Sequence, residues 1–178
     1  MKELSNLYEI ISTELDRAAQ AYQKHPNARG VGGVHLCRGY LYLEMGELEL
    51  AADEATKAYL SAETKRDFIL MASARNVQCM VGNAKIEEEI EGWADHAVAA
   101  HDYSREAIEL ASNTQDRRLL CSVYTWYGLT LSNAFFNAWD RAREAMDQAC
   151  GYLEPGIHDY IWEDFQTLRK RLSKSSTL

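Results

Sequence analysis

The residues of this chain that could do chemistry are its five histidines, four cysteines, one glycine cluster and one run of glutamates. Histidine pairs that hold a metal on one helix prefer a step of three or four residues. His96 and His101 stand five apart, which on a helix separates them by about 140°. No Glu-x-x-His or His-Glu-x-x-His spacing occurs, so the carboxylate-bridged iron and zinc-protease signatures are missing. His101-Asp102 is a lone dyad of adjacent positions, which do not face each other on a helix. His35 and Cys37, two apart, point different ways. Gly30-Val31-Gly32-Gly33 could cradle a phosphate only if a strand preceded it and Lys-Ser or Lys-Thr followed, and neither is present. The spacing therefore predicts no catalytic residue, no metal ligand and no cofactor site, and a flexible inter-helix turn at the glycines.

The run Glu87-Glu88-Glu89 with Glu91 could draw in a basic partner or a cation. Read as consecutive positions of one long helix, these carboxylates point to several sides, which predicts a solvated face. Tyr124, Trp126, Tyr127, Phe135, Phe136 and Trp139 are dense enough for a ligand pocket, but at helical spacing they read as core and packing residues. Cys37, Cys79, Cys121 and Cys150 lie in helical patterns without CxxC pairing, as reduced, small core residues do.

Those residues must be positioned by helices. Only Pro26 and Pro155 interrupt the chain, and proline inside a helix costs about 3 kcal/mol. Hydrophobic content of 47% against 26% charged is a globular balance, which argues against global disorder. Apolar steps of three and four predict helices at 3–24, 34–45, 48–63, 66–90, 93–112, 116–134, 138–153 and 158–173. Nowhere does β-branched alternation suggest a strand. The net charge of −8, with the one dense basic run at Arg169-Lys170-Arg171, predicts no direct nucleic-acid partner. No signal-peptide or membrane-spanning run is visible, so the expected location is cytoplasmic, away from membranes.

Arg38 to Tyr59 carries the clearest pattern: Gly39-x-x-Tyr42, then Gly46, then Ala51-x-x-x-Ala55-x-x-Ala58. A small residue and an aromatic one turn apart, a breaking glycine and an alanine stripe resemble one tetratricopeptide repeat, a helical hairpin. Tyr127-Gly128 is similar to the family's large-residue–glycine pair, and Pro155-Gly156 falls where such a unit often stops. The resemblance implies a single all-α domain over 1–178, a short α-solenoid: an N-terminal helix at 1–26, hairpins at 34–63, 66–112 and 116–155, and a capping helix at 157–173. The middle unit lacks the glycine, and its loop is extended by the acidic run. Between the third pair of helices, Asn133 to Trp139 adds about two residues. In the cap, Ile161, Phe165, Leu168 and Leu172 form a stripe to cover Ala142, Met146 and Ala149, with Glu163, Asp164, Arg169 and Lys170 facing water.

In that family the first helices of the hairpins line a concave groove. Turning away from each buried stripe leaves Leu36, Tyr40 and Leu43, then Arg75 and Cys79, then Thr125, Leu129 and Ser132 as groove residues. The resemblance thus implies a non-enzymatic scaffold binding a peptide or helix of a partner protein. It is also compatible with homo-oligomers. Two alternatives stay open: the sensing or dimerisation domain of a bacterial-type transcriptional or signalling regulator, and an all-α enzyme.

Overall fold

The computed structural model describes residues 2–24, 28–153 and 159–175. Within them eight helices follow one another: α1 (Lys2–Lys24), α2 (Ala28–Glu44), α3 (Leu48–Glu63), α4 (Phe68–Glu87), α5 (Trp93–Ser112), α6 (Arg117–Leu131), α7 (Trp139–Tyr152) and α8 (Asp159–Ser175). No strand occurs among the described residues. Each helix packs on the next in the chain, except that α8 lies across α6 and α7 together. In addition α2, α4, α6 and α8 lie side by side in that order, forming an inner layer backed by α3, α5 and α7.

Small residues set how closely the two layers approach. The outer helices press alanine stripes inward: Ala51, Ala55, Ala58 and Ala62 on α3, Ala97, Ala100, Ala107 and Ala111 on α5, and Ala142, Ala145 and Ala149 on α7 are all buried. Opposite them stands a glycine on each of α2, α4 and α6. A Cβ on Gly39 would lie 3.5 Å from the Ala51 carbonyl, on Gly82 2.7 Å from the Ala100 Cβ, and on Gly128 3.4 Å from the Ala142 carbonyl. Backbones this close gain dispersion contacts that any larger side chain would prop apart. In the middle hairpin the close contact between α4 and α5 is thus made at Gly82.

The ends of the helices follow from local chemistry. Asp67 caps α4 by accepting the Leu70 N–H, and Asp116 caps α6 by accepting the Arg118 and Leu119 N–H groups. Asn113, Thr114 and Gln115 make the turn before it. Gly46 adopts φ +76° between α2 and α3, where a side chain would be strained. Further on, α6 stops at Leu131 rather than continuing to 134, because Asn133 Oδ1 accepts the Phe135 and Phe136 N–H groups and turns the chain.

Three other expectations are corrected. Gly30, Gly32 and Gly33 are not a turn but part of α2, which begins at Ala28. A Cβ on Gly30 would strike the Tyr22 ring at 2.3 Å, and one on Gly32 would meet Leu70 Cδ2 at 2.6 Å, so these glycines let α2 approach α1 and α4. The glutamate run does not prolong α4, which ends at Glu87: Glu89 takes φ +52° and Gly92 +79°. Clustered carboxylates at a helix C-terminus repel both each other and the negative end of the helix dipole. Of the cysteines only Cys79 and Cys121 are core residues, while Cys37 and Cys150 are exposed. The expected helix stops at Pro26 and at Pro155-Gly156 lie outside the described residues.

At the C-terminal end α8 buries Ile161, Phe165, Leu168 and Leu172. Leu168 and Leu172 join Leu129, Leu131 and Ala142, and Ile161 and Phe165 join Cys121 and Ala149, with Met146 against both groups. The cover over Ala142, Met146 and Ala149 is thus the stripe that the sequence predicts. It also makes α8 the fourth member of the inner layer.

Candidate functional site

The inner layer carries a cleft of about 560 Å³. Its lining comes from every inner helix: Tyr40, Leu43 and Glu44 from α2; Met80, Asn83, Ala84 and Glu87 from α4; Trp126 from α6; Glu163 and Asp164 from α8. On α4 these residues recur at steps of three, one and three, which places them along one stripe. On α2 the same rule joins Tyr40 to Leu43 and Glu44. The floor is apolar and aromatic, and the rim is acidic.

The electrostatics of the cleft are lopsided. Glu87 is held by Arg171 in an ion pair across α4 and α8. Among the described residues no lysine, arginine or histidine pairs with Glu44, Glu163 or Asp164. Asp164 Oδ2 accepts the Trp126 indole N–H at 2.9 Å. Burial, with Glu163 and Glu44 as neighbouring negative charges, pushes the Asp164 carboxyl up to about 6 despite that bond. At the bottom of the cleft Asn83, 4% exposed, donates through Nδ2 to the Cys79 carbonyl at 3.0 Å and to Thr130 Oγ1 at 2.8 Å. Its Oδ1 accepts no hydrogen bond from any described residue.

Of the residues expected to line a groove, Tyr40 and Leu43 do so. Leu36 instead packs half-buried against the α3–α4 core. Cys79, Thr125, Leu129 and Ser132 are corrected: all four are buried. Cys79 Sγ lies 3.4 Å from Thr130 Oγ1, and burial holds its thiol up at about 12, so it is inert near neutral pH. Thr125 and Ser132 turn their hydroxyls onto the Cys121 and Leu129 carbonyls of their own helix. Leu129 belongs to the core under α8. Arg75 is corrected too, since it faces the other layer. Its guanidinium lies 3.7 Å over the Tyr59 ring of α3 and 5.2 Å from the Tyr103 ring of α5. Its Nε sits 2.7 Å from Glu106 Oε2, as an ion pair without hydrogen-bond alignment.

The physical reason is that α4 touches α2, α3, α5 and α6, and α6 touches α4, α5, α7 and α8. Neither helix has a free face opposite a single buried stripe; what remains open is a narrow strip on the inner side. Glu44, Met80, Asn83, Ala84, Glu87, Trp126, Glu163 and Asp164 escape the sequence reading. A second stripe at Met80, Asn83, Ala84 and Glu87 is the signal that could have found the α4 members. Asp164, expected to face water, is half-buried against Trp126, whereas Glu163 is exposed at the rim.

Other groups are less suited to chemistry. His101 lies among Tyr127 and Phe136, where burial lowers its affinity for a proton, and it is 3.6 Å from Asp102. His35 Nδ1 meets Glu54 Oε2 at 2.8 Å in the α2–α3 contact. Among the described residues no three His, Cys, Asp or Glu side chains converge as metal ligands. No described helix is long and apolar enough to cross a membrane. Comparison with protein-family models, curated proteins and solved structures finds no match for this chain.

Proposed function

We propose that this protein is a non-enzymatic interaction domain, tetratricopeptide-like in its hairpins, that holds a segment of a partner protein in the cleft of its inner layer. One observation carries the reading: four successive inner helices contribute to one open cleft with an apolar, aromatic floor and a charged rim. Partner segments anchor best through aromatic and aliphatic contacts that exclude water, with polar groups around them setting orientation. Tyr40, Leu43, Met80 and Trp126 offer such a floor. A cytoplasmic scaffold would need nothing more.

The test is selection of short random peptides on the immobilised protein, followed by photo-cross-linking of the enriched peptides and mapping of the adducts. Adducts should fall on Tyr40, Met80 or Trp126, and Ala84→Phe, which fills the cleft, should abolish binding. Enriched peptides that bind Ala84→Phe as well as the parent, with adducts on α3, α5 or α7, would overturn the assignment.

A second reading, a dimerisation domain of a regulator, is favoured by α1. Its Leu7, Ile10 and Ile11 are 49%, 53% and 37% exposed, although α1 packs on α2. Sedimentation of the parent and of Leu7→Asp with Ile11→Asp tests it: a parent dimer that the double variant dissolves would support a dimer built on α1, and a monomeric parent would remove it.

A further inference from the structure

We infer that the segment held in this cleft is basic, with an arginine or lysine head seated among Glu44, Glu163, Asp164 and Asn83 and its aliphatic stem lying against Tyr40 and Trp126. The inference rests on the reading of the cleft as a partner-binding groove and adds the chemistry of the partner.

Charge is the first support. Four carboxylates line the cleft, and one guanidinium, Arg171, answers one of them. Carboxylates held together beside an apolar floor repel one another, and a cation entering between them relieves that repulsion. The raised affinity of Asp164 for a proton comes first from its burial, and the neighbouring Glu163 and Glu44 charges add to it.

The second support is Asn83. A side-chain amide this buried normally satisfies its carbonyl as well as its nitrogen. Here Nδ2 donates to the Cys79 carbonyl of its own helix and to Thr130 Oγ1 of α6, which fixes the amide orientation and leaves Oδ1 without a described donor on a residue that lines the cleft. A guanidinium or ammonium brings only donors, so it matches an acceptor-only set of three carboxylates and one amide oxygen. An acidic or phosphorylated segment would bring acceptors to acceptors and add charge of the same sign.

Shape is the third. Long basic side chains lay their methylene stems along apolar surface and keep the head polar, which requires aromatic or aliphatic walls leading to a charged end. Tyr40, Met80 and Trp126 lead to Glu44, Glu163 and Asp164 in that way.

Three fluorescein-labelled helical peptides test this on the full chain by fluorescence anisotropy: one of leucine and arginine, one with every arginine replaced by glutamine, and one with glutamate instead. The arginine peptide should bind the parent at least about tenfold tighter than the glutamine peptide, and the glutamate peptide should not bind. Combining Glu44→Gln, Glu163→Gln and Asp164→Asn should remove that preference, while Ala84→Phe removes binding altogether. Because Asp164 touches Trp126, the exposed single change Glu163→Lys serves as a second variant, with Glu109→Lys on the outer helix α5 as its charge-matched control. Glu163→Lys should weaken the arginine peptide by about tenfold and Glu109→Lys by less than about twofold. If the glutamine peptide binds as tightly as the arginine peptide and Ala84→Phe blocks both, the groove stands and the basic partner is wrong. If binding survives Ala84→Phe, or no peptide binds, the groove reading and this inference fall together.

Discussion

On the outer side of α4 the chain supplies its own cation: Arg75 sits between the Tyr59 and Tyr103 rings, with Glu106 as its counter-ion. Tyr59 also donates to Glu106 at 2.8 Å, so the four side chains close on themselves between α3, α4 and α5. On the inner side of the same helix the surroundings are of the same kind, two aromatic residues and several carboxylates, but among the described residues Arg171 is the one cation paired there, and it pairs with Glu87. The outer wedge shows how an arginine is held by this protein when the sequence provides it. At the inner cleft the same partners stand without that arginine. A scaffold braced from outside and left unneutralised inside has its structural and its recognition charges on opposite faces of one helix.

The largest effect expected is on the wall that brings the α8 carboxylates to the cleft. Leu168 is fully buried, and one of its methyl carbons stands 2.6 Å from where a Gly128 Cβ would be. Leu168→Ala should cost about 3 kcal/mol through lost burial and the cavity left behind, read from urea unfolding. It should also loosen α8 and so weaken any basic ligand of the cleft. Equal stability of parent and variant would show that α8 is not a fixed wall, and the inner half of the comparison would fail.

Next comes the outer wedge itself. Arg75→Ala strands Glu106 and removes two ring contacts, at an expected cost of about 2 kcal/mol, with the exposure of Glu106 keeping it below the cost of a fully buried pair. Arg75→Lys should recover only part of this, since an ammonium cannot lie flat on Tyr59. Both variants should bind an inner-groove ligand as the parent does. Loss of binding without loss of stability would put Arg75 back in the recognition surface.

How the sequence misleads at Arg75 is instructive. The alanine stripes of α3, α5 and α7 and the leucine stripe of α8 are legible because each faces one neighbouring layer, so a single period of three and four describes it. Inner helices have neighbours on several sides. On α4 Leu70, Ala74, Val77 and Val81, spaced by three and four, are buried, yet Asn76, Gln78, Cys79 and Met80 are buried as well. Subtracting one stripe therefore leaves a mixture of outer-wedge, seam and groove residues that periodicity cannot separate. Tyr40 and Leu43 are legible because α2 meets no inner helix on its far side. Glu163 and Asp164 belong to a helix far along the chain, and only the side-by-side order of α2, α4, α6 and α8 carries them to Tyr40.

The smallest effect expected is a dependence on pH, and it probes the missing cation directly. Asp164 has an ordinary carboxyl value of 3.8 and is raised to about 6 in the folded chain. Facing it are Glu44 from α2, Glu87 with its partner Arg171 from α4 and α8, Trp126 from α6, and Glu163 from its own helix. Between those two values the folded state holds a proton that the unfolded state has released, so stability falls as pH rises through this window. Below about pH 4 both states are protonated and the contribution is fully present; above about pH 6.5 it is gone. Asn at this position imitates the protonated acid and can still accept the Trp126 N–H. Asp164→Asn should therefore match the parent near pH 4 and exceed its stability by about 1–2 kcal/mol near pH 7.5, a figure reduced for solvent screening at a half-buried site. A saturating arginine peptide should shrink that difference, because a seated cation stabilises the ionised carboxylate that the variant lacks. Should the two melting profiles run parallel from pH 4 to 7.5, the Asp164 charge would already be compensated within the chain. The inner cleft would then resemble the outer wedge rather than contrast with it.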